Sequence, residues 1–224
     1  MLRSALRRAG LALLACLPAA LAEAGAWPRE KGALFVSTTS YLSWSQDLTT
    51  WTSYYPSARY DTLFIEYGLT ERWTVGLDLG RSVSGATKTV AFATRPFARP
   101  VLGLQVAPTL GIGQIDGMQV IRPALSLGKG ADWGWLAADF AAELFPERGE
   151  TDVKLDLTMG AKFGRRRAMV QFQGGQQAGD APFLRVVPSV TTPLFKRYEL
   201  ELGGSYGVIG DSSMGLKLGL WAEF

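Results

Sequence analysis

Few side chains in this sequence could do covalent chemistry. Glu199 and Glu201 stand two residues apart, so on a strand they would share one face. A carboxylate pair is the minimum equipment for glycoside hydrolysis, but the same spacing equally describes one polar wall of a cavity. The chain has no histidine and a single cysteine, Cys16. The commonest general base and metal ligand is therefore missing. One thiol supports neither a zinc site nor a cysteine–base pair. Gly111-Ile112-Gly113 and Gly203-Gly204 lack phosphate-loop spacing. No catalytic site, cofactor or metal is expected.

The remaining charged residues fall into a pattern. Glu66, Asp78, Arg95, Arg122, Asp139, Lys154, Asp156, Arg185, Glu199, Glu201 and Lys217 each sit in a segment where every second residue is apolar. Gln105, Glu143, Lys162, Gln171, Gln173 and Glu223 belong to the same polar rows. Alternation at period two sends one row to each face of a strand. Something must therefore hold a polar row and an apolar row on opposite faces many times over.

The clearest such element is the last. In Met214 to Phe224, Met214, Leu216, Leu218, Leu220, Ala222 and Phe224 alternate with Gly215, Lys217, Gly219, Trp221 and Glu223. The segment has the roughly 9–11 residues of a tilted strand crossing a bilayer. Eleven segments of similar length precede it: 33–44, 59–69, 73–82, 87–97, 101–113, 118–127, 133–145, 152–163, 168–177, 183–194 and 197–209. The seventh could also be a helix, since Leu136, Phe140 and Leu144 recur every four residues. Strand is preferred because Phe145-Pro146 closes it and the neighbouring rhythm would otherwise break. Pro108, Pro123 and Pro188 lie inside segments and point to bulges or strand ends.

The amino terminus has the composition of a secretory leader. Arg3, Arg7 and Arg8 are followed by apolar Leu11 to Leu21 and then by small residues. Cleavage after Ala22 or after Ala24 both fit, and Leu13-Leu14-Ala15-Cys16 looks like a weak lipobox that would lipidate Cys16. With residues 1–24 as leader, residues 25–224 form one domain. The whole chain carries 23 Lys and Arg against 20 Asp and Glu. Removing the leader's three arginines leaves it near neutral, which gives nucleic-acid binding no electrostatic support. Mean hydropathy is +0.09, the value expected when apolar and polar rows cancel.

An alternating last strand that ends in an aromatic residue, carried here by Leu220, Ala222 and Phe224, resembles the closing strand of bacterial outer-membrane β-barrels. The resemblance covers residues 25–224 and implies an all-β, transmembrane, antiparallel up-and-down barrel of about twelve strands. It also implies that the barrel-assembly machinery reads Phe224, and that outer-membrane lipid and lipopolysaccharide surround the protein. Enzymes built on such barrels — phospholipases, lipid A deacylases, palmitoyl transferases and omptin proteases — use a histidine this chain lacks. Connections sort by parity: those near Glu71, Arg99, Lys129, Arg165 and Lys196 are mostly tight, while 45–57, the longest, falls on the other side. Tyr41, Trp44, Tyr60, Tyr67, Trp73, Phe145, Phe163, Phe183, Tyr198, Tyr206 and Phe224 are expected in interfacial girdles.

A twelve-strand lumen is intermediate between filled and open. Two functions follow: a narrow passive channel for a small solute lined by the mixed charges above, or a non-transporting structural or interaction barrel with a filled lumen. A carboxylate-only membrane enzyme and a soluble β-sandwich are the more distant alternatives. No long loop is available to constrict the lumen except 45–57.

Overall fold

The computed structural model describes residues 25–224. The expected leader, residues 1–24 with Cys16, lies outside the described residues.

Period-two patterning yields twelve antiparallel strands among the described residues: β1 (Leu34–Ser45), β2 (Ala58–Gly68), β3 (Thr74–Ser82), β4 (Thr87–Thr94), β5 (Gln105–Ile115), β6 (Met118–Ala131), β7 (Gly134–Phe145), β8 (Glu150–Phe163), β9 (Arg166–Gln176), β10 (Phe183–Pro193), β11 (Tyr198–Ile209) and β12 (Ser213–Glu223). Each pairs with its neighbours in sequence, and β1 pairs with β12 to close the barrel. The closing register sets Phe35 opposite Glu223 and Ser45 opposite Ser213. Leu34 and Phe224 exchange backbone hydrogen bonds of 3.0 and 2.9 Å at that seam. Closure leaves no row of unpaired backbone groups on either side of the sheet.

Parity then decides which way each side chain points. On β12 the row Ser213, Gly215, Lys217, Gly219, Trp221 and Glu223 faces the lumen. Leu216 and Leu218, 51% and 43% exposed, face out. The outer row continues around the barrel through Leu77, Leu110, Ile112, Leu125, Leu155, Leu157, Phe172 and Leu202, all of them exposed. A belt of this size has no place on a water-soluble monomer, which removes the soluble sandwich.

The seventh segment is strand throughout. Leu136 and Phe140 are outward residues of β7, and a spacing of four is simply every second member of a period-two row. The prolines inside strands, Pro108, Pro123 and Pro188, fall on the outer row, where they cost the ladder a donor but intrude on nothing inside, while Pro193 ends β10 opposite inward Glu199.

Several expectations are corrected. β4 stops at Thr94 and β5 starts at Gln105, so the prolines at 96 and 100 open a loop of its own on the termini side. Lys129 is not in a turn, because β6 runs on to Ala131. Among the girdle aromatics, Tyr41, Tyr60, Phe145 and Phe183 occupy lumen-facing registers. They lie near strand ends, but a strand end fixes depth and not direction. The long 46–57 connection does not enter the lumen. Its Trp51 stacks on the outward Trp44 with ring centroids 6.3 Å apart, and Trp44 Nε1 donates to Tyr54 O at 3.1 Å.

Outward residues in mid-belt should resist charge. Leu218→Arg is expected to lower the stability of the barrel in lipid vesicles by ~2–4 kcal/mol, read by urea unfolding. The rim substitution Tyr206→Arg should cost ~1 kcal/mol or less by the same measurement.

Candidate functional site

The lumen is walled by the inner rows and filled in three layers. At the end away from the termini, Val90, Val120 and Phe145 form a small apolar cluster with Ile115 and Met118. These come from β4, β5, β6 and β7, which narrow the mouth on that side. Phe64 and Phe92 stack below it at 5.4 Å.

The middle layer consists of paired charges. Asp78 receives Lys88 at 2.7 Å and Arg122 at 2.6 Å. Glu143, 2% exposed, accepts from Lys154 Nζ at 2.8 Å, with Arg122 reaching to 3.9 Å. Glu201 is 1% exposed. Its Oε1 accepts from Ser189 Oγ at 2.8 Å and Lys217 Nζ at 2.7 Å, and its Oε2 from Trp221 Nε1 at 3.1 Å. Nearer the termini-side rim, beside Arg165, Lys196 and Arg197, Glu199 is held by Arg167. A carboxylate in a poorly hydrated interior is costly unless it is both paired and hydrogen-bonded, and these four acids meet that condition. Glu199 and Glu201 are thus tied into separate pairs rather than facing a common reacting bond.

The third layer comes from the amino-terminal side of β1. Residues 25–33 turn in from the rim and run up inside the wall. Arg29 Nε donates to Glu66 Oε2 at 2.8 Å, its Nη1 lies 3.6 Å from Glu223 Oε1, and its guanidinium stacks on Phe35 at 4.3 Å. Its backbone N–H donates to Thr74 Oγ1 at 3.2 Å. Ala26 is fully buried. Trp27 rests on Gly128 so closely that any side chain at that glycine would meet the indole. Gly160 performs the same service for Trp135. Among the described residues two adjoining cavities of about 340 and 430 Å³ remain open in the lumen, both lined by Gly25, Phe64, Glu66, Asp78 and Asp156, with a smaller one of about 230 Å³ at the termini-side rim.

Of the charged residues singled out in the sequence, Glu66, Asp78, Arg122, Asp139, Lys154, Asp156, Glu199, Glu201 and Lys217 occupy inner registers. Asp139 and Asp156 stand directly opposite each other on β7 and β8. Arg185 lies at the far mouth, where it meets Asp211 at 2.7 Å. Burial pushes the Asp211 carboxyl up, but hydrogen bonds from Ser213 and Arg185 outweigh this and hold it below the usual range. Arg95 is a correction: it follows the end of β4 in the outward register and lies over the ring of outward Trp73 at 5.4 Å. The inner row of β4 is its apolar one, with Val90 and Phe92, so reading apolar residues as outward reverses this strand and turns Arg95 inward.

Arg29, Lys88 and Arg167 were missed. Carrying the Gln173–Gln171 row two steps back reaches Arg167, which the Arg165-Arg166-Arg167 run disguises as a turn. Lys88 precedes inward Val90 and Phe92, so its row looks apolar. Nothing local reveals Arg29, whose place depends on a segment folding into a closed barrel.

The buried pair at β11–β12 gives a direct test. Lys217→Met should destabilise the barrel by ~3–5 kcal/mol by stranding the Glu201 carboxylate. Adding Glu201→Gln should recover most of that loss, as measured by urea unfolding of the single and double variants.

No protein family's sequence profile matches the chain, and no curated protein matches it in sequence. Solved structures do match in shape. A NanC porin superposes with TM-score 0.64 at 8% identity, covering 83% of this chain and 98% of that one. A KdgM porin gives 0.60 at 9% identity, covering 84% and 99%. The same porin in complex with disordered oligogalacturonate gives 0.59. At such identities the likeness is one of fold, and by fold this chain is a porin-like, twelve-stranded barrel of the outer-membrane type.

Proposed function

We propose that the protein is an outer-membrane channel for passive passage of a small hydrophilic solute, held narrow by its paired charges and by its own amino-terminal segment. The supporting observation is the division between the two faces of one sheet. The outer face offers exposed Leu, Ile, Val and Phe to acyl chains. The inner face offers Asp, Glu, Lys, Arg, Gln, Ser and Thr around cavities of about 340 and 430 Å³. With no histidine in the chain and Glu199 and Glu201 each tied into its own ion pair, a channel accounts for this interior better than a hydrolase does.

The solute is small and is not selected by a single sign of charge. The KdgM porin was captured with oligogalacturonate, a polyanion whose recognition calls for unpaired cations. Here Arg29, Lys88, Arg122, Lys154, Arg167 and Lys217 each face a carboxylate. Lipopolysaccharide around the outer rim and recognition of Phe224 by the assembly machinery belong to the same reading.

The charge pairing and the inserted segment also favour the second reading, a structural barrel with a filled lumen. Planar-bilayer recording separates the two. The wild-type protein should carry a small ion current, and the double variant Trp27→Ala/Arg29→Ala should carry a current several-fold larger, because the segment loses both its packing and its ion pair. No current from either protein at any voltage would leave the filled barrel as the function.

A further inference from the structure

The inward segment ends at a place where a positive charge is missing. Around the lumen wall, Ser126, Asp139, Asp156 and Gln173 follow one another in register on β6, β7, β8 and β9. Two like charges directly opposite on neighbouring strands destabilise a sheet. Every other lumen carboxylate described above has a Lys or Arg partner. Among the described residues no Lys or Arg forms an ion pair with Asp139 or Asp156: Lys154, Lys217 and Lys88 act on Asp156 only from further off, and Asp139 has Ser126 beside it but no cation. Gly25 reaches this spot: a Cβ placed on it would lie 3.1 Å from Ser126 Oγ and 3.7 Å from Asp139 Oδ1. Its backbone nitrogen is one bond from the same Cα.

We propose that the chain is processed between Ala24 and Gly25, and that the α-ammonium so created is bound by Ser126 and Asp139, locking residues 25–33 inside the barrel. Hydrolysis consumes one water. It leaves the new carboxyl group on Ala24 and the new amino group on Gly25, which takes up a proton at neutral pH. An exported-protein leader peptidase supplies the catalysis. Cleavage precedes folding, because the closed barrel surrounds Gly25.

The alternative cut after Ala22 fits the composition equally well but not the geometry. It would leave Glu23 and Ala24 attached, remove the charge from Gly25, and add an acid to a chain heading for two acids. Glycine also suits position 25, since a larger residue would crowd Ser126 Oγ. Buried Ala26, Trp27 on Gly128 and Arg29 on Glu66 then hold the segment along its length. The sequence marks the leader, while the lumen marks where it must end.

The proposal rests on the exported-barrel reading and not on conduction, so its test avoids currents. Protein extracted from outer membranes in detergent should have an intact mass that begins at Gly25. Reductive methylation with formaldehyde and cyanoborohydride, mapped by mass spectrometry, should modify its terminal amine at least about tenfold more slowly when folded than in urea. Exposed Lys196 should react alike in both and serves as the internal standard. Asp139→Asn should raise the folded-state rate at the terminus only, with heat-modifiable migration confirming the barrel. Ser126→Ala serves the same purpose where Asp139→Asn does not fold. A mass beginning at Glu23, a retained leader, or equal folded and unfolded rates in the wild type would overturn the proposal.

Discussion

The hydrogen-bonded seam between β1 and β12 is the constraint from which the other features follow. A twelve-stranded sheet left open would present two edges of unpaired N–H and C=O groups, which neither water-poor lipid nor a disulfide-free chain could tolerate. Closing the sheet satisfies the backbone completely and, in the same step, divides every strand into an inside and an outside. Once Phe35 is fixed opposite Glu223 and Leu34 bonds Phe224, no strand can slip by one residue without turning its leucines inward and its acids outward.

Closure also fixes the volume available inside, and that volume is too small for freely hydrated charges. Except for the facing pair Asp139 and Asp156, the acids of the interior are therefore met by lysines and arginines, mostly from neighbouring strands: Asp78 by Lys88 and Arg122, Glu143 by Lys154, Glu201 by Lys217, Glu199 by Arg167. Such pairs add little net stability over apolar packing, yet removing one partner is expensive. They keep the wall polar while denying either sign of charge an unbroken track. The amino-terminal segment completes this arrangement, since Arg29 neutralises Glu66, an acid for which the barrel wall supplies no cation of its own.

The two ends of the lumen are closed by different means. Away from the termini, Val90, Val120 and Phe145 fill one side with apolar volume contributed by the strands themselves. On the termini side, closure depends on a separate piece of chain that packs through Trp27 and Arg29. A strand side chain cannot leave without breaking the ladder, whereas the segment is held only by packing, hydrogen bonds and ion pairs. That difference makes the segment, and not the 46–57 connection, the part of this barrel able to alter the bore. The long connection instead lies against the outer wall, with Trp51 on Trp44.

Period-two alternation by itself determined the strand count, the antiparallel order and the direction of almost every charged side chain, because a strand's pleat converts sequence parity directly into facing. Leu216 and Leu218 outside with Lys217 inside, and β7 as strand despite its spacing of four, were legible for that reason. Parity misled where the apolar row faces inward, as on β4, whose Val90 and Phe92 point into the lumen and leave Arg95 outside, and among aromatics such as Tyr41 and Phe145, because closeness to a rim does not fix direction. What only the tertiary structure decided was what the lumen contains. Which lysine meets which acid depends on the register between strands. The insertion of residues 25–33 depends on the space that ring closure encloses. Neither quantity is a property of any local stretch of chain, so nothing beside Arg29 in the sequence marks it for the inside of the barrel.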